Sequence, residues 1–295
     1  MIDYRYHALS LAAVLLALAL GVLLGVAIGD SNLVSSAKSG VVHGLEGELS
    51  AQRRATGELQ EQLSRERAFA QGLYPLAMHE ALSGRQIGLV FLGQSSDQVN
   101  ALVRAAVAQA GGTLATVIAV REPPDLSSIA AEASGSEYAS LAGSPGLLEG
   151  FGALIGRQLV TGGSQVVHEL ISRVRAGLLT AFDGELRSLE GVVVMRALPA
   201  GESSEESEAS DALDRGLLGG IAQAGVTAVG VELSSTYPSQ VRWYESSHLS
   251  SVDDLDRLPG QAALVYALAG LRGTFGTKAS ANSLLPSVAE LPGAP

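Results

Sequence analysis

The sequence contains no cysteine, which excludes disulfides, thiolate nucleophiles and thiolate metal sites. It leaves the compartment open, because a thiol-free chain suits either side of a membrane. Aromatic residues are scarce, at 4%, which argues against a membrane barrel girdled by aromatic side chains. Bases are few as well: 19 Lys and Arg stand against 30 Asp and Glu, a net charge of −11. With no basic stripe, such a chain repels phosphate backbones, and nucleic acid is not expected as a partner. Phosphate loops are missing too. The loop after the first expected strand reads Gly93-Gln94-Ser95-Ser96, with neither the G-x-G-x-x-G fingerprint nor a P-loop lysine. No cofactor is therefore expected, and Ser96 or Asp97 reads as a helix cap. The histidines, His7, His43, His79, His168 and His248, never pair at H-x-x-x-H spacing. Met78-His79 puts two soft-metal donors side by side, but neighbouring helical residues point apart. Ser35-x-x-Lys38 matches a serine–lysine spacing without any accompanying motif. These absences together predict a protein that is not an enzyme.

What the chain does have is one long apolar run. From Ala8 to Gly29 no residue is charged; as a helix at about 1.5 Å per residue it spans roughly 33 Å, enough for a bilayer core. Tyr4 and Tyr6 stand where an interfacial aromatic belt would lie, and Asp30 closes the far end. Residues 1–30 therefore read as a single-pass membrane anchor. The rival is a cleavable signal peptide ending near Ala27-Ile28-Gly29, whose apolar region would run only about 7–15 residues. Arg5 before the span and Asp30 after it favour a cytoplasmic N-terminus and an extracytoplasmic remainder. Small residues recur every fourth position at Ala13, Ala17, Gly21, Gly25 and Gly29. That spacing lets two helix backbones approach closely and predicts self-association.

Residues 31–74 read as a stalk. A 4-3 spacing runs through Val42, Leu45, Leu49, Gln52, Thr56, Leu59, Leu63, Glu66, Ala70 and Leu73, with charged residues between. This is the seam of a two-stranded coiled coil, weakened by Gln52, Thr56, Glu66 and several glycines. The alternative is a lone amphipathic helix lying on its own domain. Tyr74-Pro75 is expected to end the helix. Dimerisation is assigned to Ala17, Gly21, Gly25 and Gly29 in the span and to Leu45, Leu49, Leu59, Leu63 and Leu73 in the stalk.

Residues 75–295 change rhythm. Apolar runs at Ile87–Leu92, Thr113–Val120, Gly191–Met195, Val226–Val231 and Ser250–Val252 read as strands. Helical stripes at Asp97–Ala110, Val166–Thr180, Ala212–Ala224 and Ala262–Leu271 alternate with them. The fold class that follows is α/β: a Rossmann-like, mostly parallel sheet with helices on both faces. Residues 201–211 are acidic and serine-rich and read as a mobile solvated loop, and residues from about 280 to 295 as a flexible tail. Asp253, Asp254 and Asp256 follow the last strand; they could hold a cation, or cap the next helix and satisfy loop amides.

Three segments carry a family resemblance. They are His7-Ala-Leu-Ser-Leu-Ala-Ala-Val-Leu-Leu-Ala-Leu-Ala-Leu-Gly21-Val-Leu-Leu-Gly25, then Ala108-Gln-Ala-Gly-Gly-Thr113, and Ser251-Val-Asp-Asp-Leu-Asp256 followed by Pro259-Gly260 and Gly273-x-x-Gly276. Together they resemble the mycobacterial copper transport protein B (MctB) family of actinobacterial envelope proteins. Phe275-Gly276 stands where that family often has tyrosine-glycine. The resemblance implies a role in copper efflux or homeostasis, and another branch implies a scaffold that recruits a protein partner in cell separation. No residue matches a copper-ligand motif. The expected partners are the bilayer, a second copy of the chain and an envelope protein.

Overall fold

The computed structural model describes residues 4–29, 31–163, 165–197, 201 and 203–287. The chain divides into two compact units, Met1–Ala68 and Phe69–Pro295.

In the first unit, Leu and Ala dominate α1 (Tyr4–Ile28) and favour the helix. Its Tyr4–Ala27 segment has a mean hydropathy of 2.7 and none of it is buried within the protein. A helix that is apolar all round belongs in lipid or in a protein core. The second helix, α2 (Ser31–Met78), begins in this unit. Leu45, Leu49, Leu59 and Leu63 are 60%, 48%, 61% and 50% exposed along it, and Phe69, Leu73 and Leu76 are exposed further on. The side chain of Val42 lies outside the described residues.

The helix does not end at Tyr74-Pro75 as the sequence suggests. It runs on to Met78 with Pro75 inside it. Pro75 removes one backbone hydrogen bond in the closing turn, and burial of Tyr74 and Met78 beside Leu82 in the core of the second unit offsets that loss. The Tyr266 hydroxyl donates to the Ala77 carbonyl at 2.9 Å and ties this end down further.

The second unit is built on a seven-stranded sheet of order β3-β2-β1-β4-β5-β6-β7. Its strands are β1 (Gln86–Leu92), β2 (Thr113–Val120), β3 (Leu179–Gly184), β4 (Gly191–Arg196), β5 (Thr227–Val231), β6 (Ser250–Val252) and β7 (Thr274–Phe275). All neighbours pair in parallel except β3, which runs antiparallel along β2. Side chains alternate between the two faces. Ile87, Leu89, Phe91, Val193, Val229 and Val231 pack with α3 (Asp97–Gln109), α9 (Leu258–Leu268) and the end of α2. Val90, Leu92, Ile118, Val120, Val192 and Val194 pack on the other side. There they meet α4 (Leu126–Glu132), α5 (Pro145–Thr161), α6 (Gln165–Leu178), α7 (Ser204–Gln223) and α8 (Val241–Ser246). Burial on both faces explains why these strands read as continuous apolar runs.

The acidic stretch 201–211 is not a solvated loop: from Ser204 it forms the first turns of α7. Ser203 accepts from the Glu206 amide while the Glu206 carboxylate accepts from the Ser203 amide, a reciprocal capping box. Glu205 and Glu206 in the first turn also favour the positive end of the helix dipole. Glu202 lies outside the described residues. Of the expected tail, Asn282 donates its amide to the Thr274 carbonyl at 2.9 Å, and residues 288–295 lie outside the described residues.

α5 and α7 approach through four glycines spaced as G-x-x-x-G. A Cβ on Gly156 would collide with the Leu217 carbonyl, and one on Gly216 with that of Glu149; Gly152 and Gly220 face backbone in the same way. Gly219, one residue away, has nothing within 4 Å of the position a Cβ would take. Gly156→Ala or Gly216→Ala should each cost about 1–3 kcal/mol by overpacking, a fall of roughly 2–12 °C in melting temperature. Gly219→Ala should leave the melting temperature unchanged or raise it. A thermal melt of the three full-length variants in neutral detergent checks this; equal behaviour of all three would contradict the packing described.

Candidate functional site at the carboxyl end of the sheet

In this sheet the strand order reverses between β1 and β4, and parallel α/β sheets bind ligands outside the carboxyl ends at such a point. The loop leaving β1 is tight. Gly93 takes a φ of 94°, and a Cβ there would lie 3.3 Å from both the Ala197 methyl and a Glu122 carboxylate oxygen. The Ala197 amide donates to the Leu92 carbonyl at 2.9 Å, so β1 and β4 stay bonded up to the crevice. Ser96 accepts from the Val99 amide at 3.3 Å, capping α3 as its position predicts.

Charged side chains line this end. Asp214 of α7 is fully buried and faces Glu122. Burial, followed by the Glu122 charge and the hydrogen bond that protonated Asp214 gives Glu122, raises its carboxyl well above the usual range, against the pull of Arg196. Arg196, at the end of β4, is held on three sides. Its Nη2 donates to Asp211 at 2.9 Å, its guanidinium lies 4.5 Å over the Trp243 ring, and its Nε is 3.9 Å from Asp214. The buried Tyr244 hydroxyl accepts from the Arg196 amide at 2.9 Å and donates to the Val231 carbonyl at 3.0 Å, linking β4 to β5. The Tyr244 ring lies where a Cβ on Gly230 would be.

A second cluster follows β5. Glu232, 1% exposed, accepts from Ser239 Oγ at 2.7 Å, the Gln240 amide at 2.6 Å and Lys278 Nζ at 2.6 Å. Lys278 also donates to the Leu233 and Thr236 carbonyls at 3.0 and 2.9 Å. With its three protons committed, this lysine is a structural cation and not a base for Ser239.

The three aspartates after β6 separate. Asp253 accepts the Thr277 and Lys278 amides at 2.8 and 3.1 Å. Asp256 accepts the Ser234 amide and hydroxyl at 2.6 and 2.7 Å. Asp254 is fully buried against the first turn of α9, and its carboxylate oxygens make no hydrogen bond. A Cβ on Gly260 would collide with the Asp254 carbonyl and press on this carboxyl, which accounts for glycine at 260. Burial, then the neighbouring Asp253 charge, pushes its pKa up to about 6. Among the described residues no three His, Asp or Glu side chains converge on a point that could hold a metal.

Of the residues assigned to self-association, Leu45, Leu49, Leu59, Leu63 and Leu73 are all exposed along α2. Above Gly21 and Gly25 the space is open. Glu122, Arg196, Asp214, Glu232 and Lys278 belong to no motif that the sequence displays. A partial signal is present: Glu122, Arg196 and Glu232 sit at or just past the end of an apolar strand, and Asp214 among Leu213, Leu217 and Leu218 in a buried stripe, whereas Lys278 has none.

Residues 1–286 match the family described as copper transport outer membrane protein, MctB, and the chain belongs to it. Proteins called copper transporter MctB in Mycobacterium bovis and Mycobacterium tuberculosis are 35% identical over 124 residues, 41% of this chain. That match spans 38% of the length of those relatives. A putative aspartate carbamoyltransferase from Leishmania major superposes with a TM-score of 0.15 at 13% identity, over 69% of this chain and 91% of that one. A likeness that slight carries no argument.

The buried Asp254 gives a pH signature. An acid whose pKa rises from 3.8 unfolded to about 6 folded stabilises the fold when protonated. Its contribution falls as pH climbs from the lower value through the upper one, and the penalty is complete above it. Asp254→Asn, neutral at every pH, should gain melting temperature over the parent protein as pH rises from 4 to 7, with a plateau near neutrality. A pH-independent difference between the two would contradict the buried-acid reading.

Proposed function

We propose that this MctB-family chain is a non-catalytic, membrane-tethered envelope protein that contributes to copper tolerance as a homodimer. The observation that carries this is α1, an apolar helix of membrane-spanning length that the protein leaves entirely unburied, joined in sequence to a helix with an exposed leucine seam. Leu45, Leu49, Leu59 and Leu63 recur at coiled-coil spacing, and burying each against a second copy would contribute roughly 1–2 kcal/mol. Open space over Gly21 and Gly25 suits close contact between two copies of α1. The N-terminus is assigned to the cytoplasm and residues 75–295 to the far side of the membrane.

Copper, as cargo, finds no fitting donor set among the described residues. The chain has no cysteine and three methionines, of which Met78 is buried in the core. No cluster of three His, Asp or Glu exists among the described residues. The α/β sheet is open and covered on both faces by packed helices, unlike a closed lipid-facing barrel. The reading that follows is a tethered scaffold, in which the α/β domain engages a protein partner in the envelope and tolerance depends on that assembly.

A deletion strain should lose growth at copper concentrations the parent tolerates, and the full chain should restore it. Replacing Leu45, Leu49, Leu59 and Leu63 with serine should convert a detergent-solubilised dimer to a monomer by light scattering and abolish the rescue. Parental copper tolerance in the deletion strain would remove the copper reading. A dimer that survives the four substitutions would remove the seam.

A further inference from the structure

The crossover from β5 to β6 carries only the six-residue α8, too short to cover the sheet alongside α7. The gap is a cleft of about 750 Å³ between α7, α8 and the amino ends of β5 and β6, a volume that suits a small-molecule ligand. Leu218, Gly219 and Ala222 of α7 form one wall, and Trp243 and His248 stand on the α8 side.

Two positions lining that cleft lack a structural reason. Gly219 sits in the interior of α7, where glycine costs about 1 kcal/mol relative to alanine. Its neighbours Gly216 and Gly220 are required by α5, but nothing lies within 4 Å of a side chain at 219; the missing side chain only widens the cleft. His248 follows the C-terminus of α8 with a φ of 60°, and its amide closes the helix on the Glu245 carbonyl at 2.9 Å. Glycine is the residue that adopts this conformation without strain, yet an imidazole is placed there, on the cleft.

The charge lining the cleft opposes that of the whole protein. Arg196, Arg215 and Arg272 line it with His248, against Glu149 and Asp211, in a chain of net charge −11. Arg215 lies 3.8 Å from Glu149 and Arg196 is bound to Asp211, which leaves Arg272, exposed at the amino end of β7, as the cation most available to a ligand.

We propose that this cleft binds a small organic anion: an oxyanion head, phosphate or carboxylate, held by Arg272 with His248, and a ring or short apolar body lying over Gly219 against Leu218 and Trp243. Arginine supplies a bidentate fork for either head. The space left by Gly219 admits the body, and Trp243, one face of which carries the Arg196 guanidinium, adds an aromatic side chain to the lining.

The chain has one tryptophan, Trp243, so its emission reports on this cleft directly. The full-length protein in neutral detergent is titrated with phenyl phosphate, with inorganic phosphate as the head alone and phenol as the body alone. Phenyl phosphate should give a saturable change with a Kd below about 1 mM, and each fragment should bind at least about tenfold more weakly. Gly219→Phe fills the cleft and Arg272→Ala removes the head contact; each should weaken phenyl phosphate at least about tenfold while the thermal melt is retained. Arg272 is on the surface, so its variant keeps the test decisive if the Phe variant fails to fold. No saturable change below about 10 mM would overturn the proposal. So would unchanged affinity in either folded variant, or a fragment that binds as tightly as phenyl phosphate.

Discussion

Lipid or a second copy has to cover α1, because the protein itself covers none of it: the Tyr4–Ala27 segment has a mean hydropathy of 2.7 and is 0% buried. Exposure of so many Leu and Val side chains to water would cost on the order of 1 kcal/mol or more each, far beyond the margin of any folded domain. A bilayer meets the requirement for an apolar environment, in keeping with the membrane family to which the chain belongs.

The α5–α7 pair shows within this chain what the G-x-x-x-G spacing achieves. There, four glycines let two helix backbones touch, and each is required because backbone of the facing helix occupies the Cβ position. Gly21 and Gly25 of α1 carry the same spacing with the space above them open. The physics is shared: small residues remove the side chains that keep helices apart, and dispersion between backbones does the rest. In α2 the proposed counterpart is the row of exposed leucines, where a partner's gain would come from removing apolar area from water. Both faces are consistent with a second copy, and the sheet domain is well packed without one.

The fold of residues 75–295 is largely legible in the sequence because its strands are buried on two faces and so read as apolar runs. Segments whose burial is partial escape. In β3 only Leu179 is buried, and an antiparallel edge strand with that little apolar content has no distinctive pattern. The first turns of α7 look like a loop because glutamate and serine dominate them, although Ser203-x-x-Glu206 is a readable capping box. Pro75 looks like a stop because its local preference is plain, whereas the burial of Tyr74 and Met78 that overrides it comes from distant residues. After β6, Asp253 and Asp256 accept the loop amides that their position in the sequence suggests. Asp254 differs because its environment is set by Gly260 and the first turn of α9, a packing relation that spacing alone does not reveal.

A cysteine-free chain permits a direct test of the tethered pair, since any introduced thiol is the only one present. Leu49→Cys lies on the proposed seam and Arg54→Cys on the opposite side of the same helix. Oxidation in native membranes is the measurement. The account predicts a membrane-fraction dimer cross-linked through position 49 and little cross-linking through 54. Recovery of the chain in the soluble fraction, or equal cross-linking at the two positions, would contradict it.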